Sequence, residues 1–262
     1  MPSLAAILRR PFVEQVAFFR GKLGRLVPTS TWRDMMREAH DAAFMVAGAA
    51  KADLLADLAA AVDAAIAEGE SIETFRQRFA EIVQRHGWHG WTGEDTEAGR
   101  AWRTRVIYTT NLRTSYAAGR YAQLKDYPYW VYRHSGSENP RLQHLAWDGL
   151  TLPADHPFWR THYPPNGWGC GCRVAGARSR EGARRLGGKP DYDTPPPGWD
   201  VPDPETGLLP GIQEGWDYAP GATVAERVRK AVADKLDKLP KPLADALASD
   251  MRSRGKGDPH RH

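Results

Sequence analysis

Apolar positions recur at helical spacing through the N-terminal half of the chain. Thr31 can cap a helix running from Trp32 to about Val46. Lys51 to Glu68 places Leu54, Leu55, Leu58, Val62 and Ile66 on one face, and Gly69 ends that element. Ser71 then caps a third helix, with Phe75, Phe79, Ile82 and Val83 in register. The longest helical pattern spans Glu97 to Lys125 and carries Val106, Leu112, Tyr116 and Tyr121 among five arginines. Upstream, Leu4 to Leu8 and Phe12 to Phe19 are short apolar stretches broken by Arg9-Arg10-Pro11 and Gly21.

The pattern changes at Tyr127-Pro128. Tyr129 to His134 is rich in aromatic and β-branched residues and reads as a strand. Residues 135–172 read as loops with short strands. Residues 190–221, which include Pro195-Pro196-Pro197-Gly198, form a Pro/Gly-rich connection expected to wrap a surface. Helix returns at 222–249, where Val224, Val228, Val232 and Leu236 share a face until Leu239-Pro240 interrupts. The fold class is therefore α+β, divided into an arm (1–30), a helical region (31–127), a β-containing knot (128–189), the connection (190–221), C-terminal helices (222–250) and a polar, disordered tail (251–262).

Composition narrows the picture only a little. A chain of 262 residues, 41% apolar and 26% charged, has the make-up of a folded soluble protein with one large or two small domains. The formal charge of +4 is too small to mark a nucleic-acid binder by itself. No run of 18 apolar residues exists, so no membrane span is expected, and no secretory signal precedes Arg9-Arg10-Pro11. Both cysteines flank a single glycine. That spacing suits reduced thiols kept in a cytosol better than a disulfide.

The densest chemistry lies between His134 and Arg173. This window holds His144-Leu145-Ala146-Trp147-Asp148-Gly149, then Asp155-His156-Pro157-Phe158-Trp159, then Pro164-Pro165-Asn166-Gly167-Trp168-Gly169-Cys170-Gly171-Cys172-Arg173. Cys170 and Cys172 are soft ligands on one loop, and Gly169 and Gly171 free the backbone to aim both sulfurs inward. The competing reading is two buried thiols acting as small apolar residues. A thiol nucleophile drawn from the same cysteines and a histidine needs more assumptions, since a Cys and a nearby His do not define a triad. Trp130, Trp147, Trp159 and Trp168 read as core rather than binding residues.

The window resembles the signature of the phage Mu protein F-like minor head proteins, the phage head-morphogenesis family. The resemblance rests on His144, Asp148-Gly149, the turn Pro164-Pro165-Asn166-Gly167 with Trp168, and the closing Cys170-Gly171-Cys172, with Cys-Gly-Cys where Cys-Arg-Cys is usual. Phe18-Phe19-Arg20, Ala39-His40-Asp41-Ala42-Ala43-Phe44, Gly87-Trp88 and Gly215-Trp216-Asp217-Tyr218 extend it over most of the chain. The resemblance implies His144 as a third ligand beside the cysteines for one structural Zn, with His156, His134 or Asp148 as the fourth. It implies Asp148, Gly149, Pro165, Gly167 and Trp168 as structural signature residues.

The resemblance also implies a minor capsid protein of a tailed phage or prophage, without required turnover. Its expected partners are the portal and the major capsid or scaffold protein, met first in the host cytoplasm and then in the virion, with no membrane. Leu4, Ile7, Leu8, Phe12, Phe18 and Phe19 are the candidate docking residues, being apolar without a local partner. Arg100, Arg103, Arg113, Arg120 and Arg173 are candidates for contact with packaged double-stranded DNA. The rival classes are a genome-delivered enzyme (a transferase or thiol hydrolase) and a zinc-stabilised DNA-binding module.

Overall fold

A computed structural model describes residues 11–255. Residues up to Ala222 form one compact unit and those from Thr223 a second. The first unit holds α1 (Val13–Arg20), α2 (Ala52–Ala67), α3 (Ile72–His86), α4 (Glu97–Leu124), β1 (Tyr129–Arg133), α5 (Leu142–Ala146), β2 (Thr151–Pro153), α6 (Phe158–His162), β3 (Arg173–Ala177) and α7 (Arg180–Arg185). The second holds α8 (Val224–Lys238) and α9 (Lys241–Gly255). The mixed α+β class stands.

Three long helices form in the first unit, two of them from side-chain caps. Ser71 Oγ accepts from the Thr74 N–H at 3.3 Å, and Gly87 closes α3 in the left-handed conformation (φ 56°). Thr96 caps α4 through the Gly99 N–H at 3.0 Å. Leu54, Leu55, Leu58, Val62 and Ile66 of α2 face Phe75, Phe79 and Ile82 of α3, with Trp88 and Trp91 closing that core.

The expected helix over Trp32–Val46 does not form. Thr31 Oγ1 donates to Asp34 Oδ1 at 2.7 Å instead of capping a helix, and Asp34 Oδ2 accepts from the Thr31 N–H at 3.0 Å. Only two 3-10 turns follow, Trp32–Asp34 and Arg37–Asp41. The chain is extended at Phe44, whose N–H bonds to Arg25 O and whose carbonyl accepts from the Val27 N–H, both at 3.0 Å. Pairing with a distant segment thus overrides local propensity.

In the knot, β1 is the central strand of an antiparallel sheet ordered β2-β1-β3. Trp130 and Tyr132 project from it into a second core with Trp147, Leu150, Leu152, Phe158, Trp159 and Tyr163. The Pro/Gly-rich connection is part of this core rather than only a surface wrap: Ile212 and Trp216 are buried in it, and Trp199 packs on Phe158.

Helix α4 serves both cores, and its C-terminal third carries a run of small residues, Ala117-Ala118-Gly119. A Cβ on Gly119 would lie 2.7 Å from the Gln15 nitrogen and 2.9 Å from the Phe12 ring, so only glycine lets α1 cross this closely. Ala118 receives Gly221 from the connection, and the Ala117 carbonyl accepts from the Tyr163 hydroxyl at 3.0 Å.

The docking-arm expectation changes accordingly. Phe19 is fully buried against Phe44, Phe12 lies edge-on to Tyr116, and Phe18 is half-buried beneath Lys22 Nζ. These three belong to the protein's own packing. Leu4, Ile7 and Leu8 lie outside the described residues. The expected disordered tail is also corrected in part, because α9 continues through Gly255; residues 256–262 lie outside the described residues. Within the second unit, Val224, Val232 and Leu236 are half-buried and Val228 is exposed.

Candidate functional site

His144, Cys170 and Cys172 converge from two elements. α5 carries His144 against the flat face of Trp147, with ring centroids 5.2 Å apart. The turn after the Pro164-Pro165 cis peptide delivers Cys170 and then Cys172 at the start of β3. Asn166, fully buried, pins that turn: its Oδ1 accepts from the Tyr132 hydroxyl at 3.1 Å and its Nδ2 donates to Tyr163 O at 3.3 Å. Gln213 Oε1 accepts from the Trp168 N–H at 2.7 Å, and it sits where a side chain on Gly167 would go. Arg141 donates to Trp168 O at 2.7 Å, and Arg113 to Gly169 O.

The histidine's tautomer follows from its partners. His144 Nε2 lies 2.7 Å from Gly211 O, which can only accept, so Nε2 carries the hydrogen. In the neutral ring Nδ1 then presents its lone pair to the sulfurs, 3.6 Å from Cys170 Sγ and 3.8 Å from Cys172 Sγ. All three ligand atoms lie within 4.8 Å of one another. In a tetrahedral zinc site, Zn–S near 2.3 Å and Zn–N near 2.0 Å put N and S about 3.5 Å apart, so the spacing fits. The Gly211 carbonyl occupies the place of the outer-shell acceptor that metal-binding histidines usually have.

The thiols titrate as a pair. The hydrogen bond from Cys172 is the main influence that lowers the Cys170 pKa, to about 4, with His144 assisting against the cost of burial. Sharing that hydrogen with Cys170, and burial, push Cys172 up. Two sulfurs and an imidazole nitrogen thus converge, a donor set suited to a soft divalent ion.

The fourth ligand expected from the sequence does not join them. His156 Nδ1 accepts from the Phe158 N–H at 3.1 Å and its ring packs against Trp199. The start of α6 has turned it away. Asp148 Oδ1 accepts from His134 N–H at 2.8 Å and Arg133 Nε at 3.1 Å. Burial raises its pKa, but those two bonds together with the charges of Arg133 and Lys189 hold the carboxyl below its ordinary value. With Gly149 (φ 86°), where a Cβ would strike Lys189, Asp148 forms the corner after α5 and ties it to the end of β1. His134 lines a cavity of about 260 Å³ that it shares with all three ligands.

The arginines separate into three environments. Arg113, Arg120 and Arg173 line one cleft of about 570 Å³ beside the cysteine turn. Arg100 bonds to Glu94 O outside that cleft. Arg103 is buried, 8% exposed, which overturns its place in a phosphate-contacting face. Trp130, Trp147 and Trp159 are core as expected. Trp168 is only half-buried, edge-on to Trp32 at 5.8 Å and Trp216 at 5.2 Å. Asn166, Gly211 and Gln213 were not singled out beforehand as site residues. Asn166 was visible as part of the Pro-Pro-Asn-Gly turn, whereas nothing local distinguishes Gly211 from its neighbours in the connection.

A helical scaffold docked on a three-stranded knot with a Cys-x-Cys and His cluster defines the class. Residues 56–175, which include His144, Cys170 and Cys172, match the family of Phage Mu protein F like protein, so the chain carries a Mu F-like domain. It is 37% identical to the putative capsid assembly protein F of Escherichia phage Mu, over 68% of this chain and 44% of that protein. It is 38% identical to the Mu-like prophage FluMu F protein of Haemophilus influenzae, over 56% of this chain and 37% of that one. The chain thus spans less than half the length of either curated relative. No solved structure matches it. Among the described residues, no helix is long and apolar enough to cross a membrane.

Proposed function

We propose that this chain is a minor head-morphogenesis protein of a tailed phage or prophage. In this reading it joins the procapsid in the host cytoplasm, associates with the portal and with the major capsid or scaffold protein, and stays in the head interior or at the portal vertex. The observation that carries the reading is the similarity of the knot and its helical scaffold to a protein named for capsid assembly. Such a role asks for a rigid interface rather than turnover. Co-expression with the portal, scaffold and capsid proteins of the same phage, followed by counting the chain in purified procapsids, tests it. Absence from the particles overturns the reading. Loss of incorporation on deleting residues 2–10 would assign docking to Leu4, Ile7 and Leu8.

The His144–Cys170–Cys172 cluster supports one structural Zn within that role. When bound, the ion supplies a cross-link between α5 and the cysteine turn, and binding adds to folding stability. His134, whose Nδ1 accepts the Gly136 N–H at 3.1 Å and whose Nε2 carries no such bond, is our candidate for the fourth ligand. Cys170→Ser and His144→Ala should each remove the metal and lower the melting temperature. Elemental analysis finding no metal in protein purified without chelator would exclude the site. Arg113, Arg120 and Arg173 are the proposed contacts to packaged DNA, and binding through them should weaken steeply with salt.

A further inference from the structure

Arg103 sits inside the first unit without a counter-charge. Its Nη2 donates to Ala47 O, while its Nε is buried with no hydrogen-bond partner. Among the described residues it makes no ion pair, and burial alone lowers its pKa. Burying a guanidinium in this way is costly unless an anion meets it.

The guanidinium lies on the wall of a cavity of about 100 Å³ whose other walls are mainly apolar: Trp32, Met36, Ile107, Trp168 and Trp216. The remaining ionisable groups on that wall do not balance it. Glu214 is held by Arg33 through two bonds of 3.0 and 2.9 Å. His40 is kept neutral near pH 7, its pKa lowered to about 4 by burial and by Lys22. Lys22, itself buried, lines the cavity too.

We propose that this cavity binds a carboxylate carried on an apolar stem, the carboxylate on Arg103 and the stem among the tryptophans. A guanidinium offers a planar fork of N–H groups that a carboxylate's two oxygens match. The small volume and apolar walls suit one flat anionic group better than a phosphate with three oxygens to satisfy. The carboxylate comes either from a small free acid or from a chain of a partner protein. The inference does not depend on the capsid role.

Benzoate, with neutral benzamide as control, is the probe for the full-length chain. Protein denatured after purification is also analysed for released small acids. Either a released stoichiometric acid, or a melting temperature that rises with benzoate and not with benzamide, supports the site. Both effects should vanish in Arg103→Met. They should also vanish in Val106→Trp, which fills the cavity and leaves Arg103 in place should the first variant fold poorly. A released acid assigns the source to a free metabolite; a benzoate response with nothing released assigns it to a partner chain. No released acid together with equal responses to benzoate and benzamide overturns the proposal. So does a benzoate response unchanged in Val106→Trp.

Discussion

Acid should destabilise the first unit through His162, by an amount the structure sets. Its ring is fully buried, stacked on Phe158 at 4.5 Å and edge-on to Trp147 at 5.0 Å. Nδ1 lies 2.8 Å from Thr161 Oγ1, and Nε2 is buried. Burial is the main cause that lowers its pKa from 6.5 to about 4; the Pro210 carbonyl and Asp200 favour the protonated ring and offset it only in part, and His144 adds to the lowering. The unfolded ring takes up a proton as pH falls through 6.5, while the folded ring does not until about 4. Stability is therefore whole above pH 6.5 and is lost as pH falls across that window. At pH 5 the unfolded ring is almost fully protonated and the folded ring about a tenth so, a difference of about 2 kcal/mol. Urea unfolding at pH 7 and pH 5, followed by tryptophan fluorescence, measures it. His162→Phe keeps a ring in the slot and should lose about 2 kcal/mol less than wild type between the two pH values. Taking the difference cancels acid effects common to both proteins, including any loss of metal. Equal losses in wild type and variant would refute the argument.

Two further predictions follow from close contacts. Gly119→Val should lower stability by about 2 kcal/mol or more, because the added atoms meet the Gln15 backbone nitrogen of α1 as well as the Phe12 ring; a melt unchanged from wild type would show that α1 does not cross there. Asp148→Ala should cost about 1–3 kcal/mol by leaving the His134 N–H and Arg133 without their acceptor. Asp148→Asn, which keeps one oxygen, should recover part of that in the same urea titration.

What the sequence revealed, and what it did not, has a physical pattern. α2 and α3 were legible because their apolar residues keep helical period over several turns, and α4 because no proline interrupts it before Tyr127-Pro128. The failure at Trp32–Val46 came from weighing Thr31 as a cap, when Thr31 bonds Asp34 in a short turn and Phe44 and Val46 pack into the first core. The convergence of His144 with the cysteines was implied by family resemblance alone, since no spacing rule brings a helix to a turn 26 residues away. His156 stands nearer the cysteines in sequence, yet the start of α6 turns it toward Trp199. Arg103 looked like one more exposed helical arginine because α4 has no single wet face: α1, α2, α3 and the knot all claim parts of it.

That sharing has a consequence for any attempt to isolate the Mu F-like domain. A piece trimmed to residues 56–175 would keep α4 but shed α1 and the Gly221 segment, which lie against Gly119 and Ala118. It would also lose Gly211, the acceptor for His144, and Trp216 of the second core. The helix would be left bare along its small-residue stretch, with nothing long enough there to cover its own backbone. The stretch that carries the family match is therefore shorter than the packed unit it belongs to, and recombination that exchanged it alone would carry the signature without the contacts that cover α4.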